Sequence, residues 1–174
     1  MQTLNQSFAP LCYYANMIVL PSGIYDQCCQ LGRKAYPFEA CGLLLAGSDN
    51  FVGHDSQGRL TDSRSASTDA QISIAAMLVA ENVAPRDNQR RRYQVDPKFL
   101  LQTQRECRER NQEIIGVFHS HPDHPPVPSA EDLAAAWPVY IYLILHVRAD
   151  AFGSMLAWKL DSECGSFCPV AIHT

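Results

Sequence analysis

Short apolar runs rich in β-branched residues recur along the chain, and polar or helical segments separate them. Each run predicts a buried or half-buried strand. The predicted strands cover residues 17–20, 43–46, 72–74, 77–79, 114–118, 139–146 and 154–160. A last run over 167–172 predicts an edge strand, because Pro169 has no N–H to donate inside a sheet. Together these runs predict a mixed β-sheet.

Three segments carry helical signals. The first has apolar residues at helical spacing, begins at Ser22 as the expected N-cap, and ends before Pro37. The second begins at Asp96 with a proline at the next position, a good start signal, and should end near residue 110. A short third helix follows Ser129. The elements predict a single α+β domain in which helices flank the sheet.

The domain is expected to span residues 17–174, after an extension of 1–16 that has no clear pattern. A length of 174 residues suits one domain with a full hydrophobic core. Residues 48–68 are mostly polar and lack periodicity, so they predict a long loop or a hairpin excursion.

Composition narrows the function classes. The net charge of −4 gives no electrostatic reason to expect nucleic-acid binding. The amino terminus lacks the pattern of a signal peptide, and no apolar run approaches the length that crosses a bilayer, so we expect a cytoplasmic protein without a membrane partner. The sequence does not indicate an oligomeric state.

Seven cysteines, an odd number, fit a reducing compartment better than a disulfide framework. Cys41 lies near Glu39 and could be a nucleophile, but its place at the start of an apolar strand favours packing. Cys164 and Cys168 could form half of a second metal site, although no second ligand pair lies at suitable spacing.

The strand predicted over 114–118 leads into His119 and His121. Side chains two apart in a strand share a face, so both imidazoles point the same way, as two ligands of one metal ion must. Asp132, in the first turn of the third helix, would face them beside Ser129. Two nitrogens and one carboxylate oxygen, with one position left open, are typical of a catalytic zinc site. The spacing from Ser129 to Asp132 also fits a capping box, the better interpretation if the histidines were absent.

These residues, with an upstream Glu39, fill every position of a motif that resembles the JAMM (MPN+) metalloprotease family, and among its members the compact prokaryotic type. The resemblance implies one zinc ion per chain on His119, His121 and Asp132. It further implies that Glu39 is the general acid and base for a zinc-bound water, and that Ser129 stabilises the tetrahedral intermediate. The implied fold is a sheet flanked by helices, similar to that of cytidine deaminases.

The resemblance also implies a substrate. It points to an amide bond at the C-terminal Gly-Gly tail of a ubiquitin-like protein, here a sulfur-carrier protein with a C-terminal extension or with an attached amino acid or protein. Two alternatives stay open. One is a catalytically silent MPN scaffold that binds a protein partner, and the other is a different zinc hydrolase such as a deaminase. The basic run at 90–92 fits a solvated loop, or a contact with an acidic face or tail of a protein substrate.

Overall fold

The computed structural model describes residues 16–47, 51–54, 60–61 and 71–174. The predicted extension therefore lies outside the described residues except for its last position, and so does most of the polar stretch at 48–68. The division into an extension and a domain stays a prediction. In the described parts of the chain, no helix is both long enough and apolar enough to cross a bilayer.

The described strands form one mixed sheet around which the helices are arranged. The strands are β1 (Met17–Val19), β2 (Cys41–Gly47), β3 (Phe51–His54), β4 (Leu60–Thr61), β5 (Gln71–Ser73), β6 (Ala76–Ala80), β7 (Gln112–Pro122), β8 (Ile141–Val147), β9 (Phe152–Asp161) and β10 (Ser166–His173). The helices are α1 (Ser22–Ala35), α2 (Pro97–Glu109) and α3 (Ala130–Ala135). The predicted α+β class is confirmed.

The order of strands across the sheet is β4-β3-β5-β1-β10-β9-β8-β7-β2-β6. Strand β1 runs parallel to β5 and β10, and β7 runs parallel to β8, while the other pairs are antiparallel. Strands β3 and β4 pair antiparallel within the polar stretch at 48–68. Of the two forms predicted for this stretch, a long loop or a hairpin excursion, this pairing supports the hairpin. Strand β2 lies between β6 and β7, so it is an interior strand of the sheet.

The two faces of the sheet carry different cores. Phe118 and its neighbours on one face pack with residues of α1 in the larger buried cluster. On the other face Val117 joins a smaller cluster with Leu43 and with Phe99 and Leu100 of α2. Because side chains alternate along a strand, the odd-numbered residues that follow Val117 in β7 also point to the α2 face. That alternation places both histidines on the same side as α2.

One predicted cap is wrong and one is confirmed. Helix α1 has Pro21 as its N-cap and no side-chain cap, so Ser22 is the first helical residue and not the cap. The Pro21 carbonyl accepts from the amides of Ile24 and Tyr25 at 2.9 and 3.0 Å, and no side chain is used. At the start of α2 the Asp96 carboxylate accepts from the Lys98 amide at 2.9 Å, as the sequence predicts.

Strand β10 is not an edge strand, which corrects the prediction made from Pro169. It lies between β9 and β1. Pro169 pairs with Trp158 of β9, whereas β1 pairs only with the later residues 171–173. Among the described residues, the strand has a neighbour on one side only at the proline, so the missing N–H costs no ladder hydrogen bond with them. The reasoning about proline holds locally, but the strand continues beyond it.

Candidate metal centre and active site

Strand β7 and helix α3 bring three potential metal ligands together. The Nε2 atoms of His119 and His121 lie 3.1 Å apart at the end of β7. Asp132 Oδ1 lies 3.2 Å from His119 Nε2, and Asp132 Oδ2 lies 3.5 Å from His121 Nε2. All three ligand atoms fall within 4.8 Å of one another. The predicted ligands therefore converge on one point.

Helix α3 begins with a complete capping box. The Ser129 hydroxyl accepts from the Asp132 amide at 3.1 Å, and the Ser129 amide donates to Asp132 Oδ2 at 2.7 Å. The Ser129 hydroxyl also donates to the same oxygen at 2.7 Å. The two interpretations of this spacing are thus compatible, because the cap orients the carboxylate that faces the histidines.

The donor chemistry fits a metal ion such as zinc. Nδ1 of His121 lies 2.8 Å from the Pro125 carbonyl oxygen, which can only accept, so this nitrogen carries the hydrogen and Nε2 keeps its lone pair. The loop that contains Pro125 is held in turn by Trp158, whose indole N–H donates to the Pro126 carbonyl at 2.9 Å. The ring of His119 stacks on Tyr93 with centroids 4.4 Å apart. Both imidazole planes are therefore fixed by contacts outside the ligand set.

Burial and mutual contacts shift the pKa of each ligand. Complete burial lowers the pKa of His119 and favours the neutral, ligating form. Burial also acts to lower the pKa of His121, but Asp132 and the Pro125 carbonyl outweigh it and raise the pKa overall. For Asp132, burial acts to raise the pKa, yet its contacts with both histidines and its hydrogen bonds from Ser129 hold the pKa below the usual range. The aspartate is ionised, as a ligand must be.

Glu39 lies just before β2 and is 6% exposed. Burial raises the pKa of its carboxyl from 4.5 to about 8, and His121 opposes this shift while Asp132 adds to it. The antiparallel pairing of Cys41 with His119, and the Ala40–Ser120 hydrogen bonds beside it, bring Glu39 to the end of β7 that carries the histidines. A carboxyl with a pKa near 8 can both accept and release a proton at neutral pH. Glu39, chosen through the family motif, thus lies in an environment that would suit acid–base work.

Three residues that support the site were missed from the sequence. Ser120 lies between the two histidines but faces α1, where its hydroxyl accepts from the Ala40 amide at 2.9 Å. Asn82 donates to the Glu39 carbonyl at 3.0 Å, and Tyr93 stacks on His119. A serine inside a predicted buried strand is a signal that a hydrogen-bond partner exists. The contacts of Asn82 and Tyr93 are non-local and have no such signal.

Two cavities open beside the ligand cluster. We call the first the apolar cavity; it has a volume of about 510 Å³, and its walls include Leu43, Tyr93, Leu100, Val117, Trp137 and Asp132. We call the second the arginine cavity; it has a volume of about 570 Å³, and its walls include Asn88, Arg90, Asp123, His124 and Pro122. Arg91, Arg92 and Glu131 line both. The site therefore has two chemically different approaches.

The cysteines do not form a second site among the described residues. Burial raises the pKa of Cys41 to about 12, so its thiol stays protonated and packs against β6, where Sγ lies 3.7 Å from the Ala80 carbonyl oxygen. Cys164 Sγ lies 2.9 Å from the Ser166 hydroxyl. Within the described ranges, the cluster of two histidines and one aspartate is the one group with three potential metal ligands.

Comparison with known proteins finds two curated relatives and a solved structure of similar fold. Two curated relatives are named desampylase: one from Pyrococcus furiosus is 37% identical over 41% of this chain and 49% of its own, and one from Haloferax volcanii is 33% identical over 62% of each. The chain thus spans about half to three fifths of their lengths. The solution structure of a protein from Desulfitobacterium hafniense, 21% identical, covers 90% of this chain and 91% of its own with a TM-score of 0.64, which shows a shared fold.

The family follows from a longer match. The family model described as prokaryotic homologs of the JAB domain matches residues 21–161, from the start of α1 to the end of β9. That range contains all five residues of the motif, together with the elements that position them. The resemblance noted from the motif is therefore confirmed at the level of the family. The chain belongs to the prokaryotic homologs of the JAB domain.

Proposed function

We propose that this protein is a zinc-dependent isopeptidase that hydrolyses an amide bond at the C-terminal Gly-Gly tail of a ubiquitin-like or sulfur-carrier protein. One observation carries the proposal. Two imidazole nitrogens and one carboxylate converge within 4.8 Å of one another, and the pairing of β2 with β7 brings the buried Glu39 to the same end of β7. A ligand triad with a neighbouring acid–base group is the arrangement that metal-assisted hydrolysis requires.

His119, His121 and Asp132 would hold the metal ion. When bound, zinc would supply Lewis-acid chemistry, which acidifies water and polarises a carbonyl group. The protein keeps these ligands ready: Pro125 fixes one imidazole, Tyr93 stacks on the other, and the capping box orients the carboxylate. Their positions are set by backbone elements and packing, so little ordering remains to be done when the ion binds.

Glu39 would move the proton. It takes a proton from the attacking water and returns it to the nitrogen of the leaving amine, so that the carbon–nitrogen bond breaks with a neutral amine as the product. A pKa of about 8 suits both halves of this exchange near neutral pH. The backbone on either side of Glu39 is anchored to Gln89, Asn82 and Ser120, which keeps the carboxyl directed at the cluster.

Ser129 would stabilise the oxyanion that develops on the substrate carbonyl. Its hydroxyl donates to Asp132 at 2.7 Å, and so does its backbone amide. The hydroxyl can therefore turn toward the substrate while the amide still holds the carboxylate. This exchange of partners lets one serine serve both the cap and the reaction.

The substrate class rests on the relatives. Their name, desampylase, denotes removal of a conjugated protein modifier, which agrees with a ubiquitin-like substrate. The apolar cavity reaches Asp132, and its volume of about 510 Å³ is within the range that holds a short peptide segment. We infer that a protein tail enters here, since a folded protein is too large for either cavity.

The test uses a purified sulfur-carrier protein that bears one extra residue after Gly-Gly. Wild-type protein supplied with zinc should cleave it at the Gly-Gly carbonyl, and a chelator should stop the reaction until zinc is restored. Glu39→Gln should keep about one zinc per chain but lose turnover, whereas His121→Ala should lose both. Zinc binding without cleavage of any extended carrier would favour the scaffold alternative. Failure of the wild type to bind zinc would contradict the proposal.

A further inference from the structure

The two faces of the sheet differ where β9, β10 and β1 lie side by side. On the α1 face the side chains of these strands, such as Ile18, Ala157 and Val170, are buried in the larger cluster. Because side chains alternate along a strand, their neighbours in sequence point to the α2 face. Five of the residues on that face form what we call the apolar strip: Met17, Leu156, Trp158, Pro169 and Ala171.

The apolar strip is continuous, and most of it is exposed. Pro169 pairs with Trp158. Ala171 pairs with Met17, and Leu156 comes beside Ala171 one residue further along the register of β9 and β10. Leu156 is 40% exposed and Met17 is 38% exposed, and the proline and the alanine are exposed as well. Helix α2 packs against β7, so the described parts of the chain leave this row of apolar side chains accessible to water.

The chain enters β1 beside the apolar strip. The Asn16 carbonyl accepts from the Ala171 amide at 3.2 Å, and Asn16 Oδ1 accepts from the Lys159 ammonium group at 3.3 Å. In a parallel ladder the next donor in this direction belongs to the residue two before Ala171, which is Pro169 and has no N–H. The backbone before Asn16 therefore has no donor with which to continue the ladder, at the point where it meets the strip.

Among the segments outside the described residues, the N-terminal one is the richest in apolar side chains. Residues 48–50, 55–59 and 62–70 contain no apolar residue larger than alanine. Residues 8–15 carry no charge and include one phenylalanine, one leucine and two tyrosines. Aromatic and branched apolar side chains gain the most from burial. Composition therefore matches the apolar strip to residues 8–15 and not to the polar segments.

Residues 8–15 are also long enough to cross the strip. Strand β10 lies between β9 and β1. Leu156 and Met17 are thus two strand spacings apart, which corresponds to about 10 Å. An extended chain advances by about 3.3 Å per residue, so about three residues cover that distance. Residues 8–15, joined to β1 through Asn16, therefore reach Leu156 even along a curved path.

We propose that the apolar strip is the docking site of residues 8–15 of the same chain. Phe8, Leu11 and the two tyrosines cover Leu156 and its neighbours on the α2 face, as α1 covers the opposite face of the same strands. Docking of this segment requires neither zinc nor a substrate, so it is independent of the proposed function. The segment before β1 is then part of the domain and not a separate extension.

The docked segment also supports the loop that orients His121. The strip ends at Trp158, whose indole N–H donates to the Pro126 carbonyl at 2.9 Å, and the neighbouring Pro125 carbonyl lies 2.8 Å from His121 Nδ1. Side chains that pack on Trp158 exclude water from its hydrogen bond and so strengthen it. The indole hydrogen of Trp158 should therefore exchange with solvent faster in Leu156→Lys than in the wild type. Equal exchange in the two proteins would contradict docking at this end of the strip.

The first test uses the wild-type full chain in solution, so it does not depend on the folding of a variant. Nuclear Overhauser contacts should join the methyl groups of Leu156 to ring protons of Phe8, Tyr13 or Tyr14. A sample that mixes isotope-labelled with unlabelled protein distinguishes contacts within one chain from contacts between two. Contacts between chains only would place a second copy on the strip and overturn the proposal. Absence of contacts from residues 8–15, with Leu156 signals that shift only when a carrier protein is added, would assign the strip to a partner and also overturn it.

The second test measures how accessible the segment is to chymotrypsin, which cleaves after aromatic residues. Cleavage within residues 8–14 should be at least about 10-fold faster in Leu156→Lys than in the wild type, because a docked segment must detach before it is cut. Val79→Lys is the matched control: Val79 is 51% exposed on β6, at the far end of the sheet, and its replacement should leave the rate unchanged. Equal rates in all three proteins, or equal acceleration by both substitutions, would overturn the proposal.

Discussion

Two neighbouring residues of β7, Ser120 and His119, are both completely buried, yet their surroundings differ. The Ser120 hydroxyl accepts from the Ala40 amide at 2.9 Å, and its own amide donates to the Ala40 carbonyl at 3.1 Å. His119 Nδ1 is buried without a hydrogen-bond partner among the described residues. Leaving a buried polar group unpaired costs about 1–3 kcal/mol. The α1 face thus contains a polar group that stabilises the fold, and the α2 face contains polar groups that are costly to the fold.

The same contrast extends to Glu39, which lies beside the histidines. Its carboxyl has a pKa of about 8 because it is buried near other charges. Structural polar groups are satisfied within the chain, whereas the groups at the centre are left with capacity for a ligand or a proton. The difference between the faces of β7 therefore separates residues kept for stability from residues available for chemistry.

The largest expected effect follows from replacing the group that moves the proton. Glu39→Gln keeps the shape of the side chain but cannot exchange a proton, so turnover should fall by about 10²–10⁴-fold. Zinc content, measured by elemental analysis, should stay at the wild-type level because the ligands are untouched. A variant that retained wild-type turnover would remove Glu39 from the reaction.

Replacing Glu39 should also stabilise the metal-free protein. Below pH 4.5 the carboxyl is protonated in both the folded and the unfolded chain, so it has no effect. As the pH rises from 4.5 to about 8, the unfolded chain releases the proton and the folded chain retains it, so the wild type loses stability. In the presence of a chelator, Glu39→Gln should gain on the order of 1–4 kcal/mol over the wild type by pH 8. Urea unfolding at pH 5 and pH 8 measures the gain; a difference that does not grow with pH would contradict the raised pKa.

The opposite effect on stability is expected at Ser120, whose hydrogen bonds are satisfied within the chain. Ser120→Ala leaves the Ala40 amide buried without its acceptor, so the free energy of unfolding should fall by about 1–3 kcal/mol. Zinc content should not change, because the serine faces α1. Loss of zinc without loss of stability would show that the two faces are not separated in this way.

The smallest effects compare two helix caps. Asp96→Ala and Ser129→Ala each remove a side chain that accepts from a helical amide, and each should cost about 1 kcal/mol of stability. Only Ser129→Ala should also reduce turnover, by about 10–10³-fold, since only Ser129 lies beside the centre. Equal turnover in the two variants would assign Ser129 a purely structural cap.

Local patterns predicted much of this fold. The strands follow from apolar runs, the cap of α2 follows from Asp96, and the alternation of β7 places both histidines on one face. The prediction of an edge strand failed because the position of β10 depends on a neighbouring strand. Pro169 is tolerated inside the sheet because β1 pairs only beyond it, which no local pattern reveals.

The site was predictable to a similar degree. The histidines and Asp132 stand out through their spacing, whereas Glu39 alone resembles a solvated loop charge and was found through the family motif. Its burial depends on Asn82 and Gln89, which lie more than forty residues away in sequence. The stacking of Tyr93 on His119 depends on the path of the loop before α2 in the same way. Such contacts are set by topology, which spacing along the chain does not encode.

The most direct test of the account is the zinc content of three purified proteins: wild type, His119→Ala and Ser120→Ala. These variants change adjacent residues of one strand, both buried, on opposite faces of the sheet. We expect about one zinc per chain in the wild type and in Ser120→Ala, and none in His119→Ala. Zinc retained by His119→Ala, or a wild type that binds none when zinc is supplied, would contradict a metal centre at the end of β7.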